Sequence, residues 1–370
     1  MIIIGSGLAA YTLVREFRKL NQAPITVITK NEGAYYSKPQ LSSVLSLKKT
    51  PAQLILKTGK AYAEQLNFTL LAHTQVFKVD TEAQLCFTAR QALPYSSLVF
   101  ATGARPQRTN FSQVLTVNNL DDYRKFYERL QGKRNIAILG SGLVGCELAN
   151  DLITAGYEVR LISRQTYPLA SLVPEFIGRS LEHAFAEQGV QFHWQSELLE
   201  LGTDAGDYQL KLNNQQILAA DLILSAWGLR PDTQLAEEAG LQVEEGIKVN
   251  EFLATSAKHC YALGDCANYK GYGPLGYVAP LALAARILAK NLNGEKMNLR
   301  FPVMPIYVKT PVYPVVIATL PGAKNLHWQP DKTHPHDLAL SLDRHDVLQG
   351  FILGGKTTAL ANDWLARLNA

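Results

Sequence analysis

Two short runs in this chain have the residue types to hold a dinucleotide. Gly5-Ser6-Gly7-Leu8-Ala9-Ala10 and Gly140-Ser141-Gly142-Leu143-Val144-Gly145 repeat one pattern 135 residues apart. The first glycine of such a run permits a tight turn. The second lets a pyrophosphate approach the backbone, and the third small residue lets a helix pack close to a strand. The pyrophosphate then lies on unpaired N–H groups at a helix N-terminus, where the helix dipole favours negative charge. One glycine run of this kind is weak evidence, whereas two in a single chain predict two bound dinucleotides. A third feature is Gly264-Asp265, which ends the apolar run Cys260-Tyr261-Ala262-Leu263. An Asp there can accept hydrogen bonds from the ribityl hydroxyls of a flavin. Gly-Asp alone is a common turn; after two dinucleotide loops it reads as a flavin ligand.

The elements around these runs are the ones that must position them. Ile2-Ile3-Ile4 precedes the first loop and Ile136-Ala137-Ile138-Leu139 the second. Helix-like stretches follow at residues 11–20 and 146–155, then β-branched strands at 25–28 and 159–162. Strand, glycine loop, helix and strand, given twice, predict an α/β protein with two Rossmann-like dinucleotide-binding domains. Two further strands end in small-residue turns, at 98–104 and 222–231. Their ends supply Ala101, Thr102, Gly103 and Arg105 in the first half, and Gly228 in the second, as candidate cofactor contacts.

Composition bounds the rest. At 370 residues the chain exceeds what one hydrophobic core organises, so two or three domains are expected. No stretch approaches the roughly 18 uncharged apolar residues of a membrane helix. The apolar start is too short for a signal peptide, which points to a soluble, cytoplasmic protein. The four cysteines, at 86, 146, 260 and 266, form no C-x-x-C pair and read as buried, reduced thiols. No spacing suggests a metal site. Net charge is +4 but uneven: residues 1–60 hold nine Lys/Arg against two acids. That bias could steer an acidic partner. No motif accompanies it that would make nucleic acid the partner.

Taken together, the two loops and the Gly-Asp resemble the two-dinucleotide flavoproteins that include glutathione reductase and the ferredoxin reductases, over nearly the whole chain. The resemblance implies that the first loop binds FAD and the second NAD(P)H. It also implies a discontinuous FAD domain at 1–107 and 233–299, an inserted NAD(P)H domain at 108–232, and a small C-terminal α+β domain at 300–370 ending in a helix over 357–368. Disulfide reductases of this group need a redox-active cysteine, and the loop Tyr35-Tyr36-Ser37-Lys38-Pro39-Gln40-Leu41-Ser42 has none. That loop looks like a segment of ferredoxin and rubredoxin reductases. Val308-Lys309-Thr310-Pro311, and residues 145–152 after the second glycine loop, look more specifically like rubredoxin and flavorubredoxin reductases.

Carried over residue by residue, the resemblance implies that Gly5, Gly7, Leu8 and Ala9 hold the FAD pyrophosphate, and that Gly140, Gly142, Leu143, Val144 and Gly145 serve NAD(P)H. Lys38 approaches the flavin or its phosphates, and Val76 lies on a strand whose backbone meets the adenine. Asp265 with Gly264 takes the ribityl chain. Val278 and Ala279 precede a helix opened by Pro280 that points at the flavin pyrimidine edge. Glu147 and Lys309 pair beside the flavin as the catalytic candidates. The nicotinamide would deliver hydride to the flavin, which passes electrons singly to rubredoxin or a similar small acidic carrier. A monomer is implied by the small C-terminal domain. Two departures stand out. The strand after the first loop ends Thr29-Lys30-Asn31-Glu32, leaving Lys30 and Asn31 where an acid usually holds the ribose. The strand after the second ends Ser163-Arg164, with no acid for the ribose hydroxyls; Arg164 could accommodate a 2′-phosphate, so NADPH stays open, while the resemblance implies NADH. A ferredoxin reductase, a flavorubredoxin reductase, an oxygen-reducing NADH oxidase and a redox-gated binding protein remain the alternative readings.

Overall fold

The computed structural model describes every residue except Arg108, Ala205, Lys324 and Ala370; Arg108, where the second domain is expected to begin, lies outside the described residues. The chain divides into two compact units, each built from three segments. One comprises Met1–Lys38, Gln53–Arg105 and Leu229–Pro302; the other comprises Pro39–Ala52, Pro106–Gly228 and Val303–Ala370. In chain order, the strands used below are β1 (Ile2–Ile4), β2 (Thr26–Ile28), β3 (Thr69–Leu71), β4 (Leu98–Phe100), β5 (Leu115–Thr116), β6 (Asn135–Leu139), β7 (Glu158–Ile162), β8 (Gln191–His193), β9 (Leu222–Ser225), β10 (Cys260–Ala262) and β11 (Ile306–Val308). The helices are α1 (Leu8–Arg18), α2 (Leu143–Thr154), α3 (Val278–Leu292) and α4 (Ala361–Leu368).

The first unit is organised on a parallel sheet in the order β10-β4-β1-β2-β3. The second unit repeats the plan, with a parallel sheet in the order β5-β9-β6-β7-β8. Sheets of this kind are covered on both faces, which is why β1, and β6 after Asn135, read as unbroken apolar runs and are buried. In each, the first strand of its repeat is central, and the strand order reverses beside it. A crevice opens outside the C-terminal ends of the strands at that reversal, and both glycine loops leave their strands there.

Both loop helices begin three residues before the sequence pattern suggested, at Leu8 and Leu143 rather than at 11 and 146. The cause is local: Gly7 and Gly142 are themselves the N-cap residues, so the last three residues of each glycine run already form the first helical turn. A similar shift occurs at α3. It starts at Val278 with Tyr277 as its cap, so Pro280 is the third helical residue and not the first. Proline is tolerated there because a first-turn N–H has no partner within the helix.

The C-terminal part of the second unit is an antiparallel sheet ordered β11, Val315–Thr319, Leu348–Gly354, Leu338–Leu342 and Trp328–Pro330. Val316, Ala318, Leu338, Phe351 and Leu353 form its core with Ala361 and Leu368 of α4. The helical end expected over 357–368 divides into a 3-10 segment at Gly355–Leu360 and then α4. The architecture is therefore two Rossmann-like folds and a small α+β portion. Among the described residues, no helix is long and apolar enough to cross a membrane.

Candidate functional site

The two glycine loops are built alike, bond for bond. Gly5 donates its N–H to Ile28 at 2.8 Å, and Gly140 donates to Ile162 at 2.8 Å. Gly5 has φ +111° and Gly140 φ +113°, in the region where only glycine is at ease. A Cβ added at Gly5 would lie 2.3 Å from the carbonyl oxygen of Ala101, and one at Gly140 would lie 2.5 Å from that of Ala226. These two positions are closed. The second glycines, Gly7 and Gly142, are open: a Cβ there would meet nothing within 4 Å. The helices they begin have no side-chain cap. Their first-turn N–H groups therefore face outward with no side chain covering them, which is what a pyrophosphate requires. The third position differs between loops. A Cβ at Gly145 would lie 2.1 Å from the Gly140 carbonyl oxygen, while the first loop accommodates the buried Ala10.

A bond missed in the sequence ties each loop to its neighbouring strand. Ser6, the middle residue of the first loop, hydrogen-bonds Thr29 at 2.7 Å and Asn31 at 3.2 Å just past β2. Ser141 donates to Ser163 at 2.8 Å just past β7. The same serine in both loops was the available signal. Asn31 also accepts from the Gly33 N–H at 3.0 Å, so it secures the loop from the position where an acid was expected. Lys30 is exposed, and Glu32 lines an open pocket with Lys60, Glu64 and Asn67.

Within the first unit, Gly264 (φ +80°) lies so close to α1 that a Cβ would come 2.8 Å from Cβ of Ala9. The turn thereby brings Asp265 to the start of the loop helix. Asp265 forms an ion pair with Lys38 at 3.5 Å, with both side chains partly exposed, so two of the expected flavin ligands are neighbours. Thr102 donates to the Asp232 carbonyl at 2.6 Å, and Arg105 binds the Asp232 carboxylate. With Gly103, whose carbonyl accepts from the Asp232 N–H at 2.9 Å, these residues hold a chain segment. Ala101 is buried behind Gly5. Val76 is also buried, at the start of the strand Val76–Asp80. Val278 and Ala279 are exposed at the uncapped end of α3.

Within the second unit, Gly140, Gly142, Ser163, Arg164, Trp227 and Gly228 border one open pocket of about 250 Å³. Leu143 is half-buried and Val144 is 40% exposed at the helix start. Farther along α2, Glu147 is 3% exposed, and its side chain lies among donors. Ser42 Oγ donates to Oε2 at 2.5 Å, the Lys309 N–H donates to Oε1 at 3.0 Å, and the Lys309 ammonium lies 3.0 Å from Oε2. Lys309 Nζ also donates to Ser42 Oγ at 2.7 Å and to the Pro39 carbonyl. One turn on, Asp151 receives the N–H groups of Leu45 at 3.1 Å and Ser46 at 2.8 Å, and Asn150 receives that of Val312 at 3.3 Å. The inner face of α2 thus anchors the 39–52 segment and the chain after β11.

Residues 1–285 match the family model described as Pyridine nucleotide-disulphide oxidoreductase, and residues 298–368 match that of the Rubredoxin binding C-terminal domain. The chain belongs to the pyridine nucleotide-disulphide oxidoreductase family. A Vibrio vulnificus protein named Nitric oxide reductase FlRd-NAD(+) reductase is 38% identical, covering 100% of this chain and 98% of that protein. An Acinetobacter baylyi protein named Rubredoxin-NAD(+) reductase is also 38% identical, covering 100% and 97%. Among solved structures, the covalent putidaredoxin reductase–putidaredoxin complex shares the fold with a TM-score of 0.87 at 24% identity, covering 100% of this chain and 92% of that one. As a member of this oxidoreductase family the chain uses FAD and NAD(H), and its two open glycine cradles fit two dinucleotides. All four cysteines are buried, and burial pushes the thiols of Cys146, Cys260 and Cys266 upward and that of Cys86 to about 12, away from the thiolate that nucleophilic sulfur chemistry requires.

Proposed function

We propose that the protein oxidises NADH through FAD and passes the electrons one at a time to a rubredoxin. The observation that carries this reading is the match of residues 298–368 to a rubredoxin-binding domain in a chain with two dinucleotide cradles. FAD supplies the chemistry: it would accept one hydride, two electrons with a proton, from the nicotinamide and could release the electrons singly. The chain's own residues bind and orient. Gly5, Gly7 and the first turn of α1 with Leu8 and Ala9 offer N–H groups to the FAD pyrophosphate. Asp265, with Lys38 beside it, takes the ribityl hydroxyls, and the exposed N-terminus of α3 meets the flavin where negative charge collects on reduction. Gly140, Gly142 and the pocket beside them take the nicotinamide dinucleotide. The Glu147–Lys309 pair acts at the flavin, and the three-domain division proposed is that of the sequence, apart from residues 39–52, which lie with the second unit.

Stopped-flow mixing tests the reading. The FAD-loaded protein is reduced with NADH and then mixed with rubredoxin, with a plant-type ferredoxin, or with aerated buffer. Transfer to rubredoxin should be fastest by at least about tenfold. Faster transfer to ferredoxin or oxygen would reject rubredoxin as acceptor. The equal identity to the Vibrio vulnificus protein supports a second reading, in which a flavorubredoxin is the acceptor. The same mixing experiment with that protein separates the two.

A further inference from the structure

The edge of the second cradle carries a basic side chain where an acid would select NADH. In a dinucleotide fold, an Asp or Glu at the end of the second strand accepts hydrogen bonds from the adenosine ribose hydroxyls, whereas an arginine nearby accommodates a 2′-phosphate. Here β7 ends at Ile162 and the next residue is Ser163. Its hydroxyl is committed: it accepts from Ser141 at 2.8 Å and from the Gln165 N–H at 3.2 Å, and the residue is buried. Ser163 therefore brings no negative charge to the ribose edge. Arg164 follows it, is exposed, borders the pocket, and makes no ion pair among the described residues. Gln165 and Ser171 border the same pocket and add neutral donors. The one carboxylate in the lining is Glu197, which precedes the strand Leu198–Asp204 and does not follow β7.

We infer that Arg164 and the neutral ribose edge at Ser163 make this pocket accept a 2′-phosphorylated adenosine, so that NADPH binds alongside NADH. A guanidinium meets a phosphate through paired, charge-assisted hydrogen bonds, and an arginine with no carboxylate partner loses no ion pair in doing so. The inference rests on reading this pocket as the seat of the nicotinamide dinucleotide.

Calorimetric titration of the FAD-loaded protein with 2′,5′-ADP and with 5′-AMP separates the two levels, because neither ligand can be oxidised. The wild type should bind 2′,5′-ADP at least about tenfold more tightly than 5′-AMP. Arg164→Ala should bring the ratio to about one, and Arg164→Glu should invert it. Arg164 is exposed, so folding of either variant can be verified independently by retained FAD absorbance and far-UV circular dichroism. Equal or weaker binding of 2′,5′-ADP to the wild type would overturn the inference while leaving the pocket assignment standing, with Glu197 then the group that faces the ribose. Failure of both nucleotides to bind would overturn the pocket assignment and the inference together.

Discussion

At the residue scale, Glu147 keeps a carboxylate at 3% exposure by collecting donors from Ser42, the Lys309 backbone and the Lys309 ammonium. Removing one donor leaves a buried charge partly unsatisfied, while removing the acceptor leaves the ammonium with other oxygens. Lys309→Met should therefore lower the unfolding free energy by about 1–3 kcal/mol in urea denaturation. Glu147→Gln combined with it should cost less than the sum of the single losses, by at least about 1 kcal/mol. Additive losses would show that the two side chains are not coupled. The same cycle read on the reduction potential of bound flavin tests the catalytic part of the proposal, since a purely structural pair would leave the potential unmoved. Both residues were legible as candidates because their motifs resemble known reductases. Ser42 was not, although it stands in the quoted loop. Its partner is 105 residues away, and nothing local to a serine reports a contact of that range.

At the element scale, the two strand–loop–helix repeats were the most legible part of the chain, because a glycine run between an apolar strand and a helix is a local signal. Helix starts were less so, since the caps are glycines without side chains and the last residues of each glycine run belong to the helix as well as to the loop. The polar inner face of α2 was not legible at all: Asn150 and Asp151 look like solvent-facing residues until the segments they anchor are in place. The closed first glycines give a test of which loop serves which cofactor. An alanine at Gly5 or Gly140 would combine a positive φ with overlap onto a carbonyl oxygen, costing at least about 2 kcal/mol locally. Gly5→Ala should purify with little FAD, measured as the ratio of absorbance at 450 and 280 nm. Gly140→Ala should retain FAD and raise KM for NADH by about tenfold or more. Loss of FAD from Gly140→Ala, with Gly5→Ala still yellow, would reverse the assignment.

At the scale of the whole molecule, charge is distributed by sequence position. Residues 1–60 carry nine basic and two acidic side chains, and the remaining 310 residues have 27 basic and 30 acidic. Lys19, Lys30, Lys48, Lys57 and Lys60 are exposed. If this basic excess steers an acidic carrier, the second-order rate of electron transfer should fall at least several-fold between about 20 and 300 mM salt, as the screening length contracts to below about 10 Å. Hydride transfer from NADH, followed at saturating cofactor, should change little. A carrier-dependent rate insensitive to salt would remove the electrostatic part of the proposal. The charge bias was readable from composition alone. The joining of residues 39–52 to the second unit was not, because it depends on contacts with α2 that lie about a hundred residues along the chain.

The interleaving of the two units has a consequence for synthesis. The first unit closes its sheet with β10, at Cys260–Ala262, and takes its last segment from Leu229–Pro302. A ribosome adding about 5–20 residues per second spends tens of seconds between exposing β1 and delivering that strand. For that interval β4 presents an unpaired edge, and neither unit can be completed from the contiguous stretch already made. The nascent chain must therefore wait partly built, its first cradle among the earliest parts translated and among the last to become able to retain a nucleotide.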